Sequence, residues 1–536
     1  MQSFTRLFLL SFIGAVSLRT GNGQDSKIPF TIDRETTHIT GPVGEDGSID
    51  YIEALSLRQR EGVTPENNSV VMFRRAFGNR DLSQNVAVEY YKQLGIDVPP
   101  DEGDYLIGIN EYARSLDWSE VPVVDGLNGE QVVIDQHGEA ESRPWTQDEF
   151  PLIARWIDLN EKPLMLAIQG SLRPKYFSPL LPNNGLVIGI LLPDVQNIRE
   201  IVRLLTARAM LKLGKRNAEG AWHDVMACHR IARLVAQGPT LIEMLSGIAT
   251  EARACKCDNQ ITNGFLTAER ALRFSQELRV LGDVPGCASK IDVAERYMYL
   301  DVVENAALQR IDPQQLVNEP QPSDEKATTV PTIFQQAINL ELVDWDLVLR
   351  MGNEEFDRAA KIARLPTRLE RQSELARLNA DLEQMQKDAA QLDSATLLGG
   401  KTVVSRKLGK MMIGMMLPAV MRIAYEAEDR NLMRQELSHC AFALAAWRAD
   451  CGEYPEQLGH LAPEYLQHIP IDIYTGQPLI YRRSDFGYLL YGVGPNLKDN
   501  DGFTFGEGTD TDDLVVRSAG EDQRIGEAAR SAKEGN

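Results

Sequence analysis

Between residues 146 and 310 apolar side chains return every three or four positions, and that period confines this part of the chain to helices packed on one another. Ile201, Leu204, Ala207 and Leu211 set the pattern. A polar break at Gly214–Gly220 separates them from Ala221–Val235, and Gly238-Pro239 punctuates before Leu241–Ala254 and Thr267–Leu281. Thr146-x-x-Glu149 has the form of a capping box ahead of the periodic run Leu152–Leu159. The expectation is a helical domain over 146–310.

Five hundred and thirty-six residues exceed one core, so two to four domains are expected. Residues 24–145 read as a mixed α/β region: a helix starting at Thr64-Pro65-Glu66 and stopping at Gly78, a short amphipathic helix over Asn85–Leu94, and a strand at Gln131–Asp135. The pair Ala207–Val235 weakly resembles one tetratricopeptide repeat. No second copy follows at a fixed period, which favours an irregular bundle over an array. Four prolines over 311–331 mark a linker. Helix resumes over 332–416. There Leu375, Leu378, Leu382, Met385, Ala389 and Leu392 form a seam of under three heptads, expected to pack as a hairpin on the body and to end at Gly399-Gly400. Met411–Met421 is too short to span a bilayer and reads as buried core, with an interfacial helix as the alternative. A long helix follows from about Ala419 to Asp450, with Met433, Leu437, Cys440, Leu444 and Trp447 as its apolar stripe.

The formal charge of −21 repels phosphate backbones and anionic lipid, which excludes nucleic-acid binding as a main role. Arg6, the apolar run Leu7–Leu18 and the small residues Gly21 and Gly23 have the layout of a secretory signal peptide over 1–23. Export to the periplasm or exterior of a bacterial envelope is therefore expected, with no stable membrane span after cleavage. Six cysteines permit disulfides, but Cys440 and Cys451 lie on one expected helix, roughly 16 Å apart, beyond bridging reach. Most cysteines read as small buried core residues. A zinc set from His223, Cys228, His229, Cys255 and Cys257 is the alternative, though it lacks a paired C-x-x-C. H-E-x-x-H, G-x-S-x-G and the P-loop are all absent from the sequence, so no catalytic residues are assigned. His439 reads as a satisfied structural histidine, and His460 and His468 as surface residues.

The C-terminal stretch carries a family resemblance. Ala443–Asp450 leads into Gly452-Glu453-Tyr454-Pro455, and Tyr465–Asp472 supplies a Tyr, a spacer and Pro-x-Asp. Thr475–Tyr481 enters a first strand, Gly487–Tyr491 forms a second, and Thr511-Asp512-Asp513-Leu514 closes the pattern. In that order these segments resemble the C-terminal domain of type II secretion major pseudopilins, over about 417–516. The resemblance implies a long helix with a small antiparallel sheet, so the whole chain is expected to be mainly α with α+β parts, followed by a disordered tail over 517–536. A true pseudopilin begins with a prepilin-peptidase site and a long apolar helix. Here hundreds of residues precede the module, so a pseudopilus subunit is not expected.

Asp499, Asp501, Glu507, Asp510, Asp512 and Asp513 crowd one glycine-rich loop, countered within it only by Lys498. Carboxylates held closer than the Debye length of about 8 Å repel, and a Ca²⁺ ion taking six to eight oxygens relieves that repulsion. Pseudopilins bind calcium in this loop. By position, Asp512 and Asp513 match their paired acids, while Asn496 stands where the family usually has Asp. Asp499 and Asp501, in the insertion Asp499-Asn500-Asp501-Gly502, stand as the replacement charge. The spacing is not that of an EF-hand, because Gly502 as sixth residue puts Leu497 first and Gly508 twelfth. A solvated acidic loop without metal is the alternative. Three functions follow as expectations: an exported non-enzymatic structural or interaction protein with protein partners and a calcium-stabilised module; an enzyme with its cleft in residues 24–310; or an accessory of a type II secretion-like system.

Overall fold

The longest helix among the described residues contributes buried apolar side chains to all three of the larger cores, and this makes it the spine of the fold. In the computed structural model, which describes residues 28–118, 129–183, 185–311, 336–389, 394–507 and 510–524, that helix spans Gly400–Cys451. At 1.5 Å per residue it is about 78 Å long. The fold is mainly α with one three-stranded antiparallel sheet.

In chain order the N-terminal helices are α1 Tyr51–Arg60, α2 Ser69–Phe77, α3 Gln84–Leu94, α4 Ile109–Ser115, α5 Gly129–Ser142, α6 Pro151–Leu159 and α7 Glu161–Ser171. The central helices are α8 Pro193–Gly214, α9 Ala218–Val235, α10 Leu241–Thr262 and α11 Ala268–Val280. Next comes α12, Arg296–Ala307, entered through a π-helical turn at Ile291–Glu295. Then follow α13 Trp345–Ala363, α14 Arg368–Ala389 and α15 Gly400–Cys451. Strands β1 Ile480–Ser484, β2 Gly487–Gly492 and β3 Leu514–Arg517 pair in that order.

Three cores divide the apolar residues. The first joins α2–α11 and receives Phe442, Ala445 and Ala446 from α15. The second joins α1, α12, α13 and α14 to the first half of α15 through Leu408, Met411, Met412, Ile413, Leu417 and Met421. The third sets Met433, Leu437, Cys440 and Leu444 of α15 against Tyr488 and Leu490 of β2 and Leu514 and Val516 of β3. The Met-rich segment is thus core, as the sequence suggests. By length and apolarity α15 passes as a membrane span, but 67% of its apolar window is buried among neighbouring helices.

Several boundaries differ from expectation. Gln131–Asp135 is helical within α5, not a strand: Val133, His137 and Ala140, at helical spacing, are the buried residues, and this packing overrides the β preference of Val132-Val133-Ile134. Thr64 caps no helix; its carbonyl accepts from Asn67 and Asn68 in a turn, and α2 begins after Asn68, whose side chain accepts from Val70 N–H. Thr146 does not cap α6 either: that helix starts at Pro151 after Phe150, and Glu149 pairs with Arg143. Gly400 opens the long helix instead of closing the one before, so α15 begins nineteen residues before Ala419. Its end is as expected, with Gly452 taking the left-handed conformation at φ 83°. Ala519–Arg524 is helical, not disordered. The signal-like segment, most of the proline-rich linker and the last twelve residues lie outside the described residues.

Helices α14 and α15 are clamped by charge. Buried Asp429 of α15 accepts from both Arg368 and Arg371 of α14. Removing one charge from such a pair strands the other in the interior. Asp429→Asn is expected to lower stability in urea denaturation by about 3 kcal/mol. Asp388→Asn, which loses a more exposed pair with Lys410, is expected to change it by less than about 1 kcal/mol.

Candidate metal centre

Strand alternation decides where the acidic loop lies. In β2, Tyr488 and Leu490 face α15, while Leu489 and Tyr491 face the other side with Phe503 and Val515. The connection from β2 to β3 therefore folds back over the outer face, held there by Phe503. Asp472 fixes the entry: it accepts from Tyr474 N–H at 2.8 Å and from Val493 N–H, just past β2, at 3.0 Å.

The fold divides the six acids into two sets. Asp512 and Asp513 turn inward. Asp513 is fully buried, and its Oδ2 accepts from Gly502 N–H at 2.9 Å and Asn500 N–H at 3.1 Å. Asp512 Oδ2 accepts from Asn496 N–H at 3.2 Å. The second carboxylate oxygen of each residue is buried with no hydrogen-bond partner. Asn496 belongs to the same group, donating from Nδ2 to Asn500 Oδ1 and to the Asp510 carbonyl, each at 3.0 Å. Asn500, which sequence reasoning passed over, is the hub, since its Oδ1 also accepts from Asp512 N–H. Gly494 completes the wall: a Cβ there would stand 2.4 Å from Asp512 Oδ1 and 2.2 Å from its carbonyl oxygen.

The remaining four acids face elsewhere, and Asp510 is exposed. Asp501 is exposed and pairs with Arg482 of β1 at 3.0 Å. Asp499 accepts from the Tyr491 hydroxyl at 2.9 Å and lies 3.8 Å from Arg482. Glu507 pairs with Arg517 of β3. Lys498 is thus not the only counter-charge; two arginines from neighbouring strands oppose the loop, a long-range fact that loop composition cannot display. Asp501 in particular does not fit as an ion ligand.

Burial pushes the Asp513 carboxyl up to about 6, helped by repulsion from Asp499 and Asp512 and opposed by the Gly502 and Asn500 N–H groups. Among the described residues no group of three or more His, Cys, Asp or Glu forms a ready-made metal cluster. The inward set is instead two carboxylates with amide and carbonyl oxygens, donors of the kind Ca²⁺ accepts.

The zinc set is not assembled. His223 is exposed, and both ring nitrogens of buried His229 face carboxylates, Glu251 at 2.8 Å and Asp258 at 3.3 Å. Against the effect of burial, these two acids raise His229 to about 9. Cys228, Cys255, Cys257, Cys287 and Cys440 are buried free thiols, while Cys451 is exposed. His439 is satisfied by Ser275 at 3.0 Å, and His460 and His468 are on the surface.

No protein-family model, characterised protein or solved structure matches the chain. The likeness to pseudopilins therefore rests on the residues of 417–516 alone.

A carboxyl whose folded pKa lies above its unfolded value favours the folded state at low pH and loses that contribution as pH rises. For Asp513 the window runs from about 4, its unfolded range, to about 6. With metal chelated, the stability of Asp513→Asn relative to wild type is expected to rise across that window and level off above it. Thermal melts at half-unit pH steps check this.

Proposed function

We propose that the chain is an exported, non-enzymatic structural or interaction protein whose C-terminal module is stabilised by calcium. The observation that carries the calcium reading is the pair of buried, unpartnered oxygens, Asp512 Oδ1 and Asp513 Oδ1, in a wall that leaves no room for a Cβ at Gly494. A buried carboxylate oxygen without a donor is costly, and a cation bound to both removes that cost. Asp512, Asp513 and Asn496 would hold the ion, with backbone carbonyls completing the shell and Asn500 fixing the loop around it. Its chemistry is charge neutralisation. Asp499 is a peripheral contributor. Export rests on the signal-like 1–23 segment, and a non-enzymatic role on the missing catalytic signatures. An enzyme with its cleft in residues 24–310 is the second reading, favoured by an open polar cleft in that region.

A ligand at a hundred times its Kd adds about 2.7 kcal/mol to the state that binds it. Millimolar Ca²⁺ is therefore expected to raise the melting temperature of the whole chain by several degrees over a chelated sample. Asp501→Asn should keep that shift, and Asp512→Ala with Asp513→Ala should abolish it. An unchanged shift in the double variant rules out the site as assigned. Export is checked separately by N-terminal sequencing of the mature protein, expected to begin after Gly23.

A further inference from the structure

In a chain with 21 more acidic than basic side chains, one cleft reverses the balance. It has a volume of about 540 Å³ and is walled by α1, the loop after it, the Lys175-Tyr176 segment, the Gln237–Pro239 turn and the turn leading into α12. Arg58, Lys175 and Lys290 line it against a single carboxylate, Glu61. Leu55, Val63, Pro239 and Val293 supply apolar wall. The size is that of a small-molecule site.

The cations are held in place by backbone that is itself pinned. Lys175 N–H donates to the Asn67 carbonyl at 3.2 Å, and its own carbonyl accepts from Ser69 N–H at 2.8 Å. Its Nζ lies 4.0 Å from where a Cβ of Gly62 would stand. The Gln237 side chain staples the segment to the opposite turn, accepting from Tyr176 N–H at 3.1 Å and donating to the Pro174 carbonyl at 3.2 Å. At the base, buried Lys290 donates to the Gly238 carbonyl at 2.5 Å and the Gln237 carbonyl at 3.4 Å, two acceptors among the described residues for an ammonium with three N–H groups. Gln59 brings a side-chain amide with neither nitrogen nor oxygen hydrogen-bonded. Arg58 and Lys175 form no ion pair within 4.0 Å among the described residues, so their charge faces the opening uncancelled.

We propose that this cleft binds a small organic anion, carboxylate- or phosphate-bearing with an apolar portion, whose charged group is held between Arg58, Lys175 and Lys290. The inference is independent of the calcium reading, and the two sites share no residue. Burial lowers the pKa of the Lys290 ammonium from its ordinary value, Glu243 of α10 opposing and Arg58 acting in the same direction. Loss of that proton removes one of the three positive charges, so anion binding should weaken as pH rises.

The test uses the full chain with two probes, inorganic pyrophosphate and hexanoate, followed by calorimetric titration and thermal melts against sodium chloride of equal ionic strength. The expected result is saturable binding of at least one probe at pH 7, weaker at least tenfold in Arg58→Glu with Lys175→Glu and reduced at pH 9. Both substituted residues are exposed, and an unchanged melting temperature without probe shows that the double variant remains folded. If that variant is instead destabilised, Lys175→Gln alone is measured, with a threefold or greater loss expected. Binding of neither probe, or equal binding by wild type and variants, overturns the proposal.

Discussion

Glu251 of α10 is a buried carboxylate that two other helices converge on. From α9, His229 approaches at 2.8 Å and Arg233 donates from two nitrogens at 2.9 and 3.2 Å; from α15, Gln435 donates at 2.9 Å. Burial favours the neutral acid, yet His229 and Arg233 hold Glu251 down at about 2. An ion pair this deep adds little net stability over an apolar core, but losing one partner strands the rest. Its consequence is register. Only one sliding position of α15 puts Gln435 beside Glu251, and that position presents Met433, Leu437, Cys440 and Leu444 to the sheet.

The C-terminal module is therefore built into the body. Asn263, which caps α10, donates to the Arg517 carbonyl at 3.3 Å and accepts from Ala519 N–H at 3.2 Å. Strand β3 is thus tied to the same helix that carries Glu251. Cutting the chain near 417 would remove Leu408 to Ile413 from the second core and sever α15 within a continuous helix. Any likeness to pseudopilins is a likeness of sequence order over 417–516, and in this chain that stretch is built into a helical body.

Periodicity exposed what periodicity governs. The central helices stand close to where Ile201 to Leu211 and Leu241 to Ala254 placed them, and Gly452 ends α15 as a left-handed cap should. Local reasoning failed where contact with distant segments decides. Val132-Val133-Ile134 has β-branched chemistry, but only a helix lets Val133, His137 and Ala140 share one buried face. At the candidate site, Asp512 and Asp513 stood out in the sequence only through the resemblance to pseudopilins, and their inward orientation comes from the fold. Asp501 was not legible as an outward residue, because its partner Arg482 comes from a different strand. Asn500 carries no charge, and nothing in the sequence marks it as the hub of the loop.

Opposite charge problems arise in the acidic loop and in the cleft, and the fold meets each with local backbone. In the acidic loop, N–H groups of Asn496, Asn500 and Gly502 reach one oxygen of each inward carboxylate and leave the other oxygen bare. In the cleft, carbonyls of Gln237 and Gly238 occupy part of Lys290, while Arg58 and Lys175 face outward. The acidic loop lies against the third core. The cleft lies where the first and second meet, with Tyr176 belonging to one and Leu55 and Val293 to the other. Sites with separate cores and no shared partner contribute additively to stability. A cation in the loop and an anion in the cleft should therefore each leave the other's affinity unchanged.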